Sequence, residues 1–222
     1  MKYQFDFKAV LEAWPDLLRG CWLTLSMSSI SMVFGLSIGL ICVLARQSGS
    51  RSASLLVNAF VEIIRNTPFL VQVFFLFFGL PAIGVRLSAG FAAVLALSLN
   101  CGAFATEIIR GGVEAINKGQ IEAGYALGLK RLQIFRDIVM RPALRAIYPA
   151  LTAQFTLLLL TSSIVSSVSA EELTYDAQRI ESITFRSFEV YFIATGLYFL
   201  MSALLGVLFH SIGRIYFSYP KA

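Results

Sequence analysis

Residues 87–106 read LSAGFAAVLALSLNCGAFAT, twenty residues without one Asp, Glu, Lys or Arg. A helix rising 1.5 Å per residue needs about 20 residues to cross ~30 Å of hydrocarbon. Four more runs are equally free of charge: 20–45, 66–85, 146–170 and 190–213. The 222-residue chain is 57% hydrophobic and 14% charged, with mean hydropathy +0.75, whereas soluble domains carry about 25% charged residues. A soluble core helix has no reason to stay uncharged for so long. The reading is an all-α integral membrane protein, one transmembrane domain over residues 1–222. Its five spans are expected at about 20–45, 55–80, 87–106, 146–170 and 190–213.

Charge gives the orientation, because basic residues are retained on the cytoplasmic side. The segment 107–145 holds Arg110, Lys118, Lys130, Arg131, Arg136, Arg141 and Arg145, and the first connection holds Arg46 and Arg51. The loop after the fourth run instead carries Glu171, Glu172, Asp176 and Glu181 against Arg179 and Arg186. The N-terminus is therefore expected outside, and 107–145 and the C-terminus, with Arg214 and Lys221, inside. The hairpin between the second and third spans is expected outside, turning at Gly79, Pro81 and Gly84.

The first run is too long for the apolar core of a cleavable signal, and the residues before it carry as many acids as bases. Residues 5–20 place Phe7, Val10, Leu11, Trp14 and Leu18 at helical spacing. That fits an interfacial helix, and equally an apolar lead-in to the first span. Cys21, Cys42 and Cys101 all lie in apolar runs without a CxxC or Cys/His cluster, and read as small packing residues. His210, alone near the end of the last run, reads as an interfacial residue.

The long hydrophilic insertion contains GQIEAGYALGLKRLQIFRDIVMRP at 119–142. Gln120–Leu127 are mostly good helix formers, Gly128 offers a break, and Leu132–Val139 resumes a helical pattern. Leu132, Phe135 and Val139 share one stripe, with Ile138 at its edge, and Pro142 is expected to stop or kink the helix. Two short helices meeting at Gly128 and lying across the membrane face are expected. One reading is an amphipathic connector. A second is a DNA-binding helix-turn-helix, disfavoured by Glu122, Asp137 and the missing row of base-reading side chains. A third is a docking element for a soluble partner.

Here the residues carry a resemblance. Glu122-Ala123-Gly124, followed by Gly128, Phe135, Ile138 and Pro142, resembles the EAA motif of ABC-importer permease subunits. Glu107-Ile108-Ile109-Arg110-Gly111-Gly112 resembles the polar amino-acid permeases (the His/Glu/Gln/Arg/opine-like group) within that family. So do Gly119-Gln120 and the run from Glu62 to Gln72 that ends in Phe78-Gly79-Leu80-Pro81. The similarity covers roughly residues 15–215. It implies that Glu122, Ala123, Gly124, Leu127, Gly128, Leu132 and Phe135 form a coupling element on a separate ATPase dimer. It also implies a sister or identical permease chain and a solute-binding protein as partners. Leu132 and Phe135 would brace the loop against the spans. The chain has no G-x-x-x-x-G-K-[ST] phosphate loop, so ATP and Mg belong to the partner and no cofactor or catalytic residue is expected here.

Intramembrane polar groups tend to face the bundle interior or a cavity. Glu62, Arg65, Asn66, Thr67, Pro68 and Gln72 are candidates for the translocation pathway. Glu62 and Arg65 can neutralise each other three residues apart, and Pro68 bends the helix. The fourth span ends in Thr161, Ser162, Ser163, Ser166, Ser167 and Ser169. These hydroxyls serve either helix packing or a hydroxyl-lined pathway at Thr161 and Ser162. Related permeases often show Lys, then Asp or Asn, then Thr-Ser-Leu, where this chain has Leu160, Thr161, Ser162, Ser163 and Ile164. The loop 171–189, with Tyr175 and Phe185 among polar residues, is either a docking site for the binding protein or a solvated connector.

The expected function is the transmembrane subunit of an ATP-driven importer that brings a polar amino acid across a bacterial inner membrane. A secondary transporter is the first rival, and predicts a membrane-embedded carboxylate; the five uncharged runs hold none. A membrane scaffold without transport is the second.

Overall fold

The computed structural model describes residues 4–217, apart from the side chains of Lys118, Arg141 and Phe217. Lys221 and those two basic side chains, used above to orient the chain, lie outside this description. The described residues form helices and connecting turns, with no strand. Four helical stretches among them are long and apolar enough to cross a membrane: Trp14–Gln47, Ala89–Glu114, Arg131–Val168 and Ser187–Tyr216.

A short helix α1 (Lys8–Glu12) leads into α2 (Trp14–Gln47). The single interfacial helix expected over residues 5–20 does not form. The chain breaks at Ala13, and Pro15 sits in the first turn of α2, where its missing N–H is one of the unpaired donors anyway. Val10 and Leu17 are fully buried, while Leu11, Trp14 and Leu18 are exposed.

α2 packs along α5 (Ala89–Glu114). The seam is made of missing side chains. A Cβ on Gly35 would lie 2.5 Å from Cys101 Cβ, and one on Gly39 would lie 2.8 Å from Ala105 Cβ. From the other side, a Cβ on Gly102 would lie 2.6 Å from Ile38 Cγ2. Gly35-Leu-Ser-Ile-Gly39 is a G-x-x-x-G pattern, whose small residues let two helix backbones approach. Thr106 donates to its own helix, to Gly102 O at 2.7 Å, so the polar residue of the seam is satisfied internally.

Where one continuous span was expected at about 55–80, the chain makes two helices meeting at 111°. The first, α3 (Arg51–Arg65), is capped by Ser50, whose Oγ accepts from Ala53 N. The second, α4 (Phe69–Phe74), continues through a π turn (Phe75–Gly79) and a 3-10 turn (Leu80–Ile83). Gly84 ends it in the left-handed region at φ 88°.

After α5 comes α6 (Lys118–Ala126), then one almost unbroken helix. That helix comprises α7 (Arg131–Gln133), a π stretch (Ile134–Met140), α8 (Arg141–Thr161) and a 3-10 end (Ser162–Val168). Leu132–Val139 is thus the beginning of the fourth long helix and not a separate surface helix. Pro142 neither stops nor visibly breaks it: the wide π turn falls just before the proline, where an α-helical ladder would lose a donor. A helix α9 (Leu173–Thr184) and the long α10 (Ser187–Phe217) complete the chain. Helix α5 is the hub, touching α2, α3, α4 and α8.

The seam makes a direct prediction. Gly35→Ala should destabilise the protein by roughly 1–3 kcal/mol, the usual cost of overpacking. Gly90→Ala, where a new Cβ meets nothing within 4 Å, should be neutral or gain up to ~1 kcal/mol of helix propensity. Thermal unfolding of both variants in the same detergent checks the contrast.

Candidate functional site

The polar residues of the expected pathway gather at the helix break. Pro68 has no N–H, so the Ile64 carbonyl loses the donor that would continue α3. Gln72 replaces it: Nε2 donates to Ile64 O at 2.7 Å, and also reaches Thr67 O at 3.1 Å and Thr67 Oγ1 at 2.9 Å. Thr67 Oγ1 donates to Ile63 O at 2.8 Å, and Asn66 Nδ2 donates to Glu62 O at 2.9 Å. The Ile63 and Ile64 carbonyls are therefore closed by side chains, while Glu62 O also keeps its backbone donor, Asn66 N, at 3.1 Å, the accounting that a low-dielectric site demands. Asn100 Nδ2 on α5 reaches Gln72 Oε1 at 3.4 Å. Gln72 and Thr67 also edge a cavity of about 370 Å³ that is otherwise lined by Ile63, Ile64, Val71, Phe75, Leu76, Ala96 and Leu99.

Glu62 and Arg65 do not pair as expected. The Glu62 carboxylate accepts from Asn66 Nδ2 at 2.8 Å, and the Arg65 guanidinium lies 5.4 Å from the centre of the Phe104 ring, a cation–π distance. The hydroxyls of the fourth long helix turn onto their own backbone. Ser162, Ser163, Ser166 and Ser167 each donate to the carbonyl three residues back, at 2.7–2.8 Å. Ser162 is fully buried and Thr161 half-buried at the end of α8.

On the segment between α5 and α8, Asn117 caps α6, its Oδ1 accepting from Gly119 N at 2.9 Å. Gly128 ends α6 at φ 74°. Gly128 N donates to Tyr125 O at 2.9 Å and Leu129 N to Gly124 O at 3.1 Å, the paired bonds of a Schellman motif. α6 then folds back on the π stretch. A Cβ on Gly124 would lie 2.7 Å from Ile138 Cδ1 and 3.1 Å from Ile134 Cγ1. The close approach that Gly124 permits is thus made within the chain.

The same contact corrects the expected stripe. Ile134 is buried, whereas Leu132 is 76% and Phe135 56% exposed. The π turn widens the helix and rotates its buried face away from the 3.6-residue spacing on which Leu132 and Phe135 were chosen. Leu132 and Phe135 do not brace the loop. They stand out with Tyr125 and with Leu127, which is 79% exposed, and with exposed Glu122 and Ala123.

Two polar assemblies had no signal of their own in the sequence. At the C-terminal ends of α2 and α5, Arg46 Nη1 meets Glu107 Oε1 at 2.6 Å, and Arg110 Nη2 meets Glu107 Oε2 at 2.7 Å. Arg110 Nη1 continues to Glu114 at 2.6 Å. At the other end, Glu172 is fully buried and caps α9, Oε1 accepting from Tyr175 N at 2.9 Å. Its Oε2 accepts from Thr24 Oγ1 at 3.4 Å and from the Tyr198 hydroxyl. Thr24 accepts in turn from Leu173 N at 3.0 Å. One carboxylate therefore ties α2, α9 and α10 together. Asp176, also buried, faces Arg179 Nε at 3.7 Å, and Arg179 bonds Asp16 across to α2 at 2.8 Å.

Two predictions follow from these geometries. Gln72→Leu leaves the Ile64 carbonyl without its replacement donor and should cost about 1–3 kcal/mol, read as a lowered unfolding temperature. Burial raises the Glu172 carboxyl above its ordinary 4.5, against the opposing hydrogen bonds from Tyr198 and the backbone. The folded protein therefore holds that proton to higher pH than the unfolded chain. This stabilising contribution is complete below the unfolded value and is lost as pH rises through the folded one. Unfolding temperature should accordingly fall as pH rises from 4.5 toward neutrality, with a shallower slope in Glu172→Gln. An identical slope in the variant would assign the pH dependence elsewhere.

Known proteins resemble the chain over nearly its whole length. The glutamine transport system permease protein GlnP of Escherichia coli is 35% identical over 213 residues, 95% of this chain and 97% of its own. The L-cystine transport system permease protein TcyB of Bacillus subtilis is 36% identical over 202 residues, 90% of this chain and 86% of its own. A crystal structure of an amino acid ABC transporter with histidines superposes with a TM-score of 0.89 at 33% identity, covering 96% of this chain and 99% of that one. A methionine ABC transporter, in an inward-facing conformation, shares the fold with a TM-score of 0.76 at 24% identity, covering 93% and 99%. The family model described as "binding-protein-dependent transport system inner membrane component" matches residues 31–215, and the chain belongs to that family of ABC-importer permease subunits.

Proposed function

We propose that the chain is the membrane subunit of an ATP-driven importer of a polar amino acid, set in a bacterial inner membrane. The observation that carries this reading is the exposed knob on the segment joining α5 to α8. Tyr125, Leu127, Leu132 and Phe135 are all large apolar side chains exposed on this segment, and the Glu122 side chain is exposed on it too. Several exposed large apolar side chains on one hydrophilic segment suit a protein interface. A carboxylate within it suits a basic residue of the partner. The partner is an ATPase dimer, which supplies ATP and Mg; a second permease chain and a solute-binding protein complete the assembly.

In this reading the N-terminus is outside and the knob is cytoplasmic, on the side where basic residues accumulate. Closure of the ATPases displaces Leu132 and Phe135. Because these residues begin the helix Arg131–Val168, 38 residues long, the displacement enters the bilayer along one element roughly 55 Å in length. The contact of Gly124 with Ile134 and Ile138 makes α6 move with it. Far along that helix lie Thr161 and Ser162, the proposed pathway positions, with Glu62, Arg65, Asn66, Thr67, Pro68 and Gln72 at the broken helix. The relatives that transport glutamine and cystine support an amino-acid substrate. On the outer side, α9 offers a surface for the binding protein.

Replacing Leu127 with Asp and Phe135 with Ser should remove an interface anchor of about 2 kcal/mol. In the assembled transporter, ATP hydrolysis stimulated by the loaded binding protein should fall about thirtyfold, while the permease still inserts and purifies. Unchanged stimulation would place the coupling contact elsewhere.

A further inference from the structure

Between α8 and α10 lies a cleft of about 500 Å³. Its walls are small: Thr152, Ala153 and Thr156 on α8 face Gly206 and Gly213 on α10. Small residues ordinarily let membrane helices close to backbone contact, yet these two stay apart. Two aromatic props hold them. Tyr148 stands where a Cβ on Gly213 would meet its ring at 2.9 Å, and its hydroxyl donates to Phe209 O at 2.7 Å. The rings of Phe155 and Phe209 lie 5.8 Å apart, a second contact between the same helices. The gap is built by packing.

Its chemistry is two-sided. Thr152 and Thr156 donate to their own helix, to Pro149 O at 2.9 Å and Thr152 O at 3.1 Å, so the wall offers few free donors. Arg214 and His210, one helical turn apart, line the same cleft and are exposed. Among the described residues neither forms an ion pair, and no acid lines the cleft. An amino acid zwitterion would leave its ammonium unmatched there. The fitting ligand is an amphiphile with an anionic head. Arg214 lies in the last turn of α10, where a membrane span meets the headgroups, and the small residues lie deeper. Basic pockets between spans near a membrane surface hold acidic lipid heads.

We propose that this cleft is a site for one anionic phospholipid, its phosphate held by Arg214 and His210 and an acyl chain lying against Ala153 and Gly206. The proposal rests on the membrane-spanning fold and is independent of what is transported.

The test uses the assembled transporter in nanodiscs of phosphatidylglycerol and phosphatidylcholine, with retained lipid counted by native mass spectrometry. The wild type should retain phosphatidylglycerol in preference to phosphatidylcholine. Arg214→Gln should lower that preference about fivefold, the effect of ~1 kcal/mol per basic residue at a membrane surface. Ala153→Trp, which fills the cleft and leaves the charges, should displace the lipid as well. Equal retention in all three overturns the proposal. Loss in Arg214→Gln with full retention in Ala153→Trp also overturns it, in favour of diffuse surface charge. A wild type without bound lipid, cross-linked to a second copy through this face, assigns the cleft to a protein contact. Retention is scored without transport, so a failed import assay leaves this result standing.

Discussion

The close contact of α2 with α5 is the constraint on which the other elements depend. With Cβ positions at Gly35, Gly39 and Gly102 forbidden by neighbours 2.5–2.8 Å away, the two backbones run closer than any side chain at these positions would allow. In hydrocarbon there is no hydrophobic force to bring helices together, so dispersion at short range must do it. That seam fixes α5, and α5 carries α3, α4 and α8 on its other faces. The Arg46–Glu107–Arg110 chain then locks the two helices at the end nearest α6. The segment that leaves α5 toward the knob thus starts from a fixed base.

The broken helix shows the opposite strategy, a deliberate loss of regular structure made tolerable by side chains. A 111° turn in an apolar setting strands backbone carbonyls, and each stranded group would cost several kcal/mol. Thr67 and Gln72 close the Ile63 and Ile64 carbonyls, and Asn66 Nδ2 adds a second donor to Glu62 O, which keeps its backbone bond from Asn66 N. Polar residues inside a membrane protein are often assigned to a pathway on their polarity alone. Here most of their hydrogen-bonding capacity is used by the bend itself. What Gln72 and Thr67 present to the adjacent cavity is the remainder.

The helical class and four of the five long apolar stretches were legible from charge-free runs, because burying one charge outweighs many local preferences. The G-x-x-x-G at 35–39 was present in the sequence as a signal but acquires meaning only once its partner, Cys101 to Ala105, is known. The exposed stripe of the knob was misjudged for a definite reason: a π turn just before Pro142 replaces the 3.6-residue period, so Ile134 is buried where Leu132 and Phe135 were expected. Periodicity cannot announce its own change. The wider role of Glu172 was invisible because Thr24 and Tyr198 are distant in sequence and unremarkable alone; only its cap on Tyr175 N is local. At the candidate pathway, residue types were readable, but hydroxyl orientation was not; Ser162 and Ser163 could equally have faced outward until their bonds to Leu159 and Leu160 were seen.

The two ends of the fourth long helix differ in kind, and the difference bears on mechanism. Its C-terminal end runs through the 3-10 turn at Ser162–Val168 into Ser169, which adopts the left-handed conformation, and then reaches Glu172. There the buried carboxylate binds α2, α9 and α10. Its N-terminal end, around Leu132 and Phe135, touches little beyond α6. Between these ends the helix is packed on α5, where a Cβ on Gly112 would overlap Ile147 Cγ2, so a push at its exposed first turns would pivot it about that contact. Both ends of the element depart from α geometry, with a π stretch at Ile134–Met140 and a 3-10 turn at Ser162–Val168. In the proposed importer, force applied at the knob would then move Thr161–Ser169 at the far end of the same helix, next to the buried acid that ties α2, α9 and α10 together.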